Sequence, residues 1–148
     1  MDQQVAPRPA PETTLERASA ALAAGGAASG VICALLAARG GASIAAMIAT
    51  LLLGSVLAMA AITAIGAPVW LVLHLAGRRG ARTAALTGAA LGFILFLFAQ
   101  TYGFGFAEAP PADTATWAMR WLSGAATSLG VAVIAGGVAL LMWRVAYR

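Results

Sequence analysis

The chain has 148 residues, of which 61% are hydrophobic and only 9% are charged, and it contains 39 alanines, 17 glycines and no lysine. A soluble domain carries about 25% charged residues, so this composition excludes an ordinary soluble domain, and the chain is too apolar to be disordered. The single cysteine excludes a disulfide framework and a cysteine-based zinc site. The nine basic residues are all arginines at the ends of apolar stretches, which argues against nucleic-acid binding. An all-α, polytopic integral membrane protein remains.

The N-terminal segment predicts a polar tail followed by a first transmembrane helix. Residues 1–16 contain three prolines and charges of both signs, which is typical of a flexible tail. Residues 18–38 carry no charge and predict roughly 31 Å of helix, about the thickness of the hydrocarbon layer. Thr13 or Thr14 is the predicted N-cap. A cleaved signal peptide is the alternative, but the acids of the tail balance its bases, which is atypical of a signal peptide.

The second apolar stretch is too long for one upright span. Ser43 is predicted to cap a helix over residues 43–76, and Gly66 and Pro68 interrupt this stretch. Proline lacks a backbone N–H and clashes with the carbonyl four residues back, so we expect a kink at residues 66–68. Trp70 fits the aromatic belt at a membrane interface. The pattern leaves open whether residues 69–77 continue the helix or lie in the interface.

Two more spans complete the predicted four-helix bundle. The third covers residues 82–106, with small residues in its first half and aromatic residues in its second. An acidic loop with Glu108 and Asp113 follows. The fourth span covers residues 116–145, and the distance from Trp121 to Trp143 is roughly 33 Å of helix, which matches a bilayer with an aromatic belt at each interface. Residues 17–148 therefore form one transmembrane domain.

The arginines predict the orientation of the four spans. An even number of spans places one group of arginines on the side of both termini and leaves Arg39 and Arg120 on the other side. Because cytoplasmic loops are enriched in basic residues, we expect a multi-pass protein of the bacterial inner membrane with both termini in the cytoplasm. The larger group is Arg8, Arg17, Arg78, Arg79, Arg82, Arg144 and Arg148.

Each predicted helix carries small residues at intervals of four, the spacing that allows close approach of helices in lipid. The rows serve either packing within the chain or an interface with another chain, in a homo-oligomer or a larger membrane protein complex. The rows are Gly26, Gly30, Ala34 and Ala38, beside Gly25, Ser29, Cys33 and Ala37, in the first helix; Ala46, Thr50, Gly54 and Ala58 in the second; Ala84, Gly88 and Gly92 in the third; and Gly124, Ser128, Ala132 and Gly136 in the fourth.

The sequence predicts no catalytic residues, no metal site and no cofactor. Every carboxylate lies in the tail or in the acidic loop, which argues against a proton-coupled carrier. His74 is the only histidine, so a bis-histidine haem within one chain is excluded and a zinc site lacks further ligands. His74 fits better as a polar group near the headgroups. The chain is therefore predicted not to be an enzyme.

Two clusters are candidates for ligand binding. One is a polar pocket for a quinone or a lipid headgroup, with Glu108 or Asp113 as the counter-charge; its residues are Gln100, Thr101, Tyr102 and Arg120. The alternative is that these side chains anchor helix ends at the interface. The other cluster, Arg78, Arg79 and Arg82, either binds anionic lipid headgroups or an acidic partner, or only fixes the topology.

These patterns favour a non-catalytic accessory or structural subunit whose partners are the lipid bilayer and either further copies of itself or a larger membrane complex. The alternative is a small oligomeric transporter or pore for a small solute. A third interpretation is a membrane anchor that binds a quinone or a lipid.

Overall fold

A computed structural model describes residues 13–103 and 113–147, and this part of the chain is helical apart from short turns. Two π-helical segments, Ile62–Gly66 and Ala99–Gly103, lie within the long helices. Residues 1–12 of the predicted tail and Glu108 of the acidic loop lie outside the described residues, and α1 begins at Leu15, within the last residues of the predicted tail. The α-helices are α1 (Leu15–Arg39), α2 (Ile44–Ala61), α3 (Ala67–Leu75), α4 (Ala81–Phe98) and α5 (Thr114–Tyr147).

The described chain forms four helical spans that are long and apolar enough to cross a membrane: Leu15–Arg39, Ile44–Leu75, Ala81–Thr101 and Thr114–Tyr147. Each exceeds the roughly 20 residues that a hydrocarbon core requires. The predicted all-helical architecture with four such spans is therefore confirmed. The predicted end of the third span, at residue 106, lies outside the described residues.

The N-caps of the first two spans are those that the sequence predicts. The Thr14 hydroxyl accepts a hydrogen bond from the Arg17 N–H at 3.3 Å, and the Ser43 hydroxyl accepts one from the Ala46 N–H at 3.3 Å. Each satisfies a backbone donor that the first helical turn leaves without a partner. Between these spans Gly41 adopts a φ of 76°, a conformation that glycine accommodates without strain and that lets the chain reverse direction.

The second span is continuous through Gly66 and Pro68. The π-helical segment ends just before Pro68, and the Ala67 N–H donates to the Ile62 carbonyl, five residues back rather than four. This wider turn lies directly before the proline ring, which cannot supply the next hydrogen bond. Helix α3 then continues to Leu75, so most of residues 69–77 extend the second span. The predicted kink at residues 66–68 stays a prediction.

The four spans pack in the order α2–α1–α5–α4. Helix α1 contacts α2 and α5, and α5 contacts α4, whereas the outer helices α2 and α4 do not pack on each other within the described chain. Apart from Thr101 at the end of the third span, the buried residues of the described chain accordingly lie on α1 and α5, at Ala21, Gly25, Gly26, Gly30, Gly124, Ser128, Ala132, Gly136 and Ala146. The four helices α2, α1, α5 and α4 thus form a row that is open between α2 and α4, although α3 of the second span also contacts the end of α5 through His74 and Tyr147.

Glycines allow the backbones of α1 and α2 to approach closely. A Cβ built on Gly30 would lie 2.5 Å from the Leu51 carbonyl oxygen, and one built on Gly26 would lie 3.0 Å from the Ser55 carbonyl oxygen. Both distances are shorter than ordinary van der Waals contact. The predicted row on α1 therefore packs within the chain.

The seam between α4 and α5 is built in the same way. A Cβ on Gly88 would lie 2.9 Å from the Ala135 carbonyl oxygen, and one on Gly136 would lie 3.1 Å from the Ala85 carbonyl oxygen. Glycines of both helices thus face the partner backbone. The predicted rows of the third and fourth spans also serve packing within the chain.

Candidate functional site

Alternating helix directions divide the arginines between two ends of the molecule. We call them the Arg79 end, where α1 begins and α5 ends, and the Arg120 end, where α4 ends and α5 begins. The Arg120 end also holds Arg39. The described arginines at the Arg79 end are Arg17, Arg78, Arg79, Arg82 and Arg144.

At the Arg120 end, two of the four predicted pocket residues pack against α5. A Cβ built on Gly124 would lie 3.5 Å from the Thr101 hydroxyl oxygen and 3.9 Å from the Gln100 Cβ. Thr101 is 2% exposed, and Gln100 and Arg120 are half-buried. Arg120 lies one turn before Gly124. The side chain of Tyr102, the fourth predicted residue, lies outside the described part.

The surroundings of Thr101 are apolar and closely packed. The Phe98 and Trp121 rings meet edge to face with centroids 6.4 Å apart, and a Leu97 methyl carbon lies 3.5 Å from the Cβ position of Gly124. An open depression lies elsewhere, on the second half of α1, and is lined by Ile32, Leu35, Leu36, Ala38 and Arg39. The structure thus places Thr101 in a helix seam and not in an open pocket.

Two buried hydroxyls in the α4–α5 seam have no hydrogen-bond partner in the described chain. They belong to Thr101 and Ser128, and Ser128 is 0% exposed. Five other helical hydroxyls donate to the carbonyl four residues back: Ser29, Thr50, Ser55, Thr63 and Thr127. The small-residue row predicts that position 128 is buried, but no sequence signal shows that its hydroxyl stays unpaired.

Asp113, one of the two proposed counter-charges to Arg120, caps the first turn of α5. The Thr116 N–H donates to one Asp113 carboxylate oxygen and the Thr116 hydroxyl donates to the other, both at 2.8 Å. These bonds, that from the hydroxyl first, lower the pKa of the Asp113 carboxyl below its ordinary value of 3.8. Glu108, the other proposed counter-charge, lies outside the described residues.

At the Arg79 end, aromatic residues join α3 and α5. The His74 Nδ1 lies 3.1 Å from the Tyr147 hydroxyl oxygen, and the Trp70 and His74 ring centroids are 5.0 Å apart. The Trp143 and Tyr147 ring centroids are 5.9 Å apart. The sequence places Trp70, His74 and Trp143 near a membrane interface but does not indicate that α3 and α5 meet there, because 73 residues separate His74 from Tyr147.

The three clustered arginines differ in their surroundings. Arg78 and Arg82 are exposed, whereas Arg79 is half-buried and its main-chain carbonyl accepts a hydrogen bond from the Trp143 indole N–H at 2.9 Å. This bond attaches the turn between α3 and α4 to the end of α5. Arg79 is therefore part of the packing, and Arg78 and Arg82 are the members that present their charge to the surroundings.

The described residues contain no group of three or more metal-ligating side chains close enough to hold a metal ion. Cys33, the only cysteine of the chain, is a half-buried free thiol, and a Cβ built on Gly54 of α2 would lie 3.2 Å from the Cys33 Cβ. Its place is in the α1–α2 seam. The absence of a cofactor and of catalytic activity stays a prediction.

Comparison with family models, with curated proteins and with solved structures finds no match to this chain. The class that fold and sites define is that of an all-helical protein with four helices apolar enough to cross a membrane.

Proposed function

We propose that the chain is a non-catalytic subunit of the bacterial inner membrane that associates with further copies of itself or with a larger membrane complex. The observation that carries this proposal is the unpartnered face of α5. Helix α5 is an inner helix of the row, yet Gly130 and Gly137 are exposed, and a Cβ built on either would meet nothing within 4 Å.

Glycine on an open helix face needs a reason, because it destabilises a helix by about 1 kcal/mol relative to alanine. In the two seams inside the chain, the reason is close contact with another backbone. Gly130 and Gly137 lie seven residues apart, two helical turns, and so share one side of α5. On this side of α5, close approach of a helix from another chain accounts for the two glycines in the same way.

Large apolar side chains flank these glycines. Leu129 is 61% exposed, Val133 77% and Ile134 46%. Side chains on both sides of a glycine groove form the contacts through which helices associate in lipid, where burial of apolar surface from water contributes little. The face therefore combines a groove for close approach with side chains that enclose an incoming helix.

The distribution of charge supports the proposed orientation. Five of the described arginines lie at the Arg79 end and two at the Arg120 end. Because basic residues accumulate on the cytoplasmic side, the Arg79 end is proposed to face the cytoplasm, together with both termini. There, exposed Arg78 and Arg82 lie at the level of anionic headgroups.

The proposal is tested by enlarging the two exposed glycines. Gly130→Leu with Gly137→Leu fills the groove, and the expected result is a smaller assembly on native gels in mild detergent and loss of any co-purifying partner. The matched control is Ala90→Leu, which enlarges an exposed residue of α4. An unchanged assembly in the glycine variant, or a monomeric unaltered chain without partners, would contradict the proposal.

Reconstitution of the purified chain into liposomes separates the alternatives. The accessory-subunit proposal predicts no solute flux; flux from a homo-oligomer would instead favour a small transporter or pore. Binding of a quinone or lipid that is weakened by Gln100→Ala or Arg120→Gln would favour a ligand-binding anchor, since both residues are half-buried at the Arg120 end.

A further inference from the structure

One side of α1 is covered by α5 in its first half and open in its second half. Ala21 and Gly25 are buried, and a Cβ built on Gly25 would lie 2.5 Å from the Met142 sulfur of α5. Ile32 follows Gly25 by two helical turns and therefore lies on the same side of α1. No residue of α1 beyond Gly30 is buried. The open part of this side forms the depression on the second half of α1, which we call the α1 depression.

The α1 depression follows one face of the helix and ends at a cation. Its walls include the large aliphatic side chains Leu35 and Leu36, which are 61% and 62% exposed, and Arg39 is exposed at the end of the span. The depression has a volume of about 610 Å³, which is within the range of about 300–1,000 Å³ of small-molecule sites. Four of its lining residues have the i, i+3, i+4, i+7 spacing of one helix side: Ile32, Leu35, Leu36 and Arg39.

We propose that the α1 depression binds one phospholipid molecule, with an acyl chain along the aliphatic side chains and the phosphate on the Arg39 guanidinium. This inference rests on the membrane location that the proposed function includes. Arg39 ends the first span, so its guanidinium lies at the level of the lipid headgroups. Within the described chain its side chain has no hydrogen bond or ion pair, and a guanidinium binds phosphate oxygens through charge-assisted hydrogen bonds.

A helix of another chain fits the α1 depression less well than a lipid does. Helices associate in lipid where small residues let their backbones approach closely, as at the open glycines of α5. Three of the four apolar residues of the depression are large, so they keep a second backbone at a distance. A flexible acyl chain adapts to such walls, and its phosphate gives the arginine at the edge a partner of opposite charge.

The site is tested by native mass spectrometry of the full chain, purified in mild detergent and incubated with micelles that contain dioleoylphosphatidylglycerol. The expected result is one retained phospholipid per chain that depends on Arg39. Arg39→Gln removes the charge and should lower the retained fraction by about tenfold, which corresponds to the loss of one charge-assisted hydrogen bond. Ala38→Leu should lower the retained fraction as well, because the larger side chain occupies part of the depression.

Each variant has a matched control. Arg17→Gln removes an exposed arginine from the opposite end of the same helix, and Ala90→Leu enlarges an exposed residue of α4. Both controls should retain the phospholipid as the unaltered chain does. Dioleoylglycerol, which has the same acyl chains but no phosphate, should be retained as poorly by the unaltered chain as the phospholipid is by Arg39→Gln.

Equal retention in Arg39→Gln and Arg17→Gln, or in Ala38→Leu and Ala90→Leu, would overturn the proposal, as would equal retention of dioleoylglycerol and the phospholipid. A changed assembly size in Ala38→Leu with unchanged lipid retention would also overturn it, because another chain would then occupy the depression. Retained lipid is counted per chain in whichever assembly forms. Failure of association through α5 is therefore detected separately, by the Gly130→Leu and Gly137→Leu variant.

Discussion

At the scale of single residues, glycine has two distinct roles in this chain. In the seams, the absence of a Cβ lets one backbone approach another, as at Gly30 and Gly88. On the exposed side of α5, a Cβ built on Gly130 or Gly137 would meet no atom within 4 Å. Substitution by alanine distinguishes these two roles. It raises helix propensity in both places, but the added methyl group overlaps another backbone only in the seams.

Gly30→Ala is expected to destabilise the chain by about 1–3 kcal/mol, because the new methyl group overlaps the Leu51 carbonyl oxygen. The control, Gly137→Ala, meets no atom within 4 Å and should stabilise the helix by up to about 1 kcal/mol. Unfolding followed by circular dichroism in detergent measures both effects. Equal effects of the two variants would show that the α1–α2 seam is not as close as the structure describes.

Asp113 provides a prediction on pH. Its pKa is lowered by hydrogen bonds that exist only in the folded helix, so the capping stabilisation is present at neutral pH and is lost as pH falls through this lowered pKa. Thr116→Ala removes the hydroxyl that is the main cause of the shift. NMR titration of the Asp113 carboxyl should then show its pKa rising toward 3.8, and an unchanged value would contradict the assigned cap.

At the scale of elements, a hydrogen bond from Trp143 near the end of α5 attaches the turn between α3 and α4 to that helix. Trp143→Phe keeps an aromatic ring but removes the donor to the Arg79 carbonyl. Loss of this bond should cost about 1 kcal/mol locally and increase hydrogen–deuterium exchange in residues 76–80.

The control for this prediction is Tyr147→Phe. It removes the hydroxyl that lies 3.1 Å from His74 Nδ1 and leaves the Trp143 bond in place. Exchange should then increase at the end of α3 rather than in the turn. The same exchange pattern in both variants would argue against two separate attachments.

The sequence predicts most of the helical spans and their N-caps because the signals for them are local. Charge-free length predicts the four spans, and a side-chain oxygen before an apolar run predicts the caps at Thr14 and Ser43. The sequence does not predict the π-helical segments. Pro68 indicates an irregularity near its position, but it does not indicate how the backbone accommodates the proline ring. Nothing comparable precedes Ala99–Gly103.

The candidate site is predictable only in part. The position of Gln100 and Thr101 near the start of the fourth span follows from the hairpin between the two spans. The complete burial of Thr101 and the pairing of Asp113 with Thr116 depend on side-chain geometry that residue types do not specify. The contact between His74 and Tyr147 depends on distant segments meeting.

At the scale of the whole molecule, the order α2–α1–α5–α4 determines which surfaces remain open. Small residues occur on all four spans, so the sequence does not specify which pairs of spans meet. In the observed row the two inner helices use their glycines against neighbours, and α5 still presents Gly130 and Gly137 on its open side. This order of helices therefore leaves one face of α5 open to a helix from another chain.

The arginine distribution leads to a prediction about the whole fold in the membrane. Reporters fused to either end of the chain should both indicate the cytoplasm: a fluorescent protein that matures there is active, and a phosphatase that needs the periplasm is inactive. Arg78→Gln with Arg82→Gln removes two exposed charges from the Arg79 end and should give a fraction of inverted molecules with phosphatase activity at the C-terminus. Arg39→Gln with Arg120→Gln removes two charges from the opposite end, which increases the asymmetry, so no inversion is expected. Phosphatase activity at the C-terminus of the unaltered chain would contradict the proposed orientation.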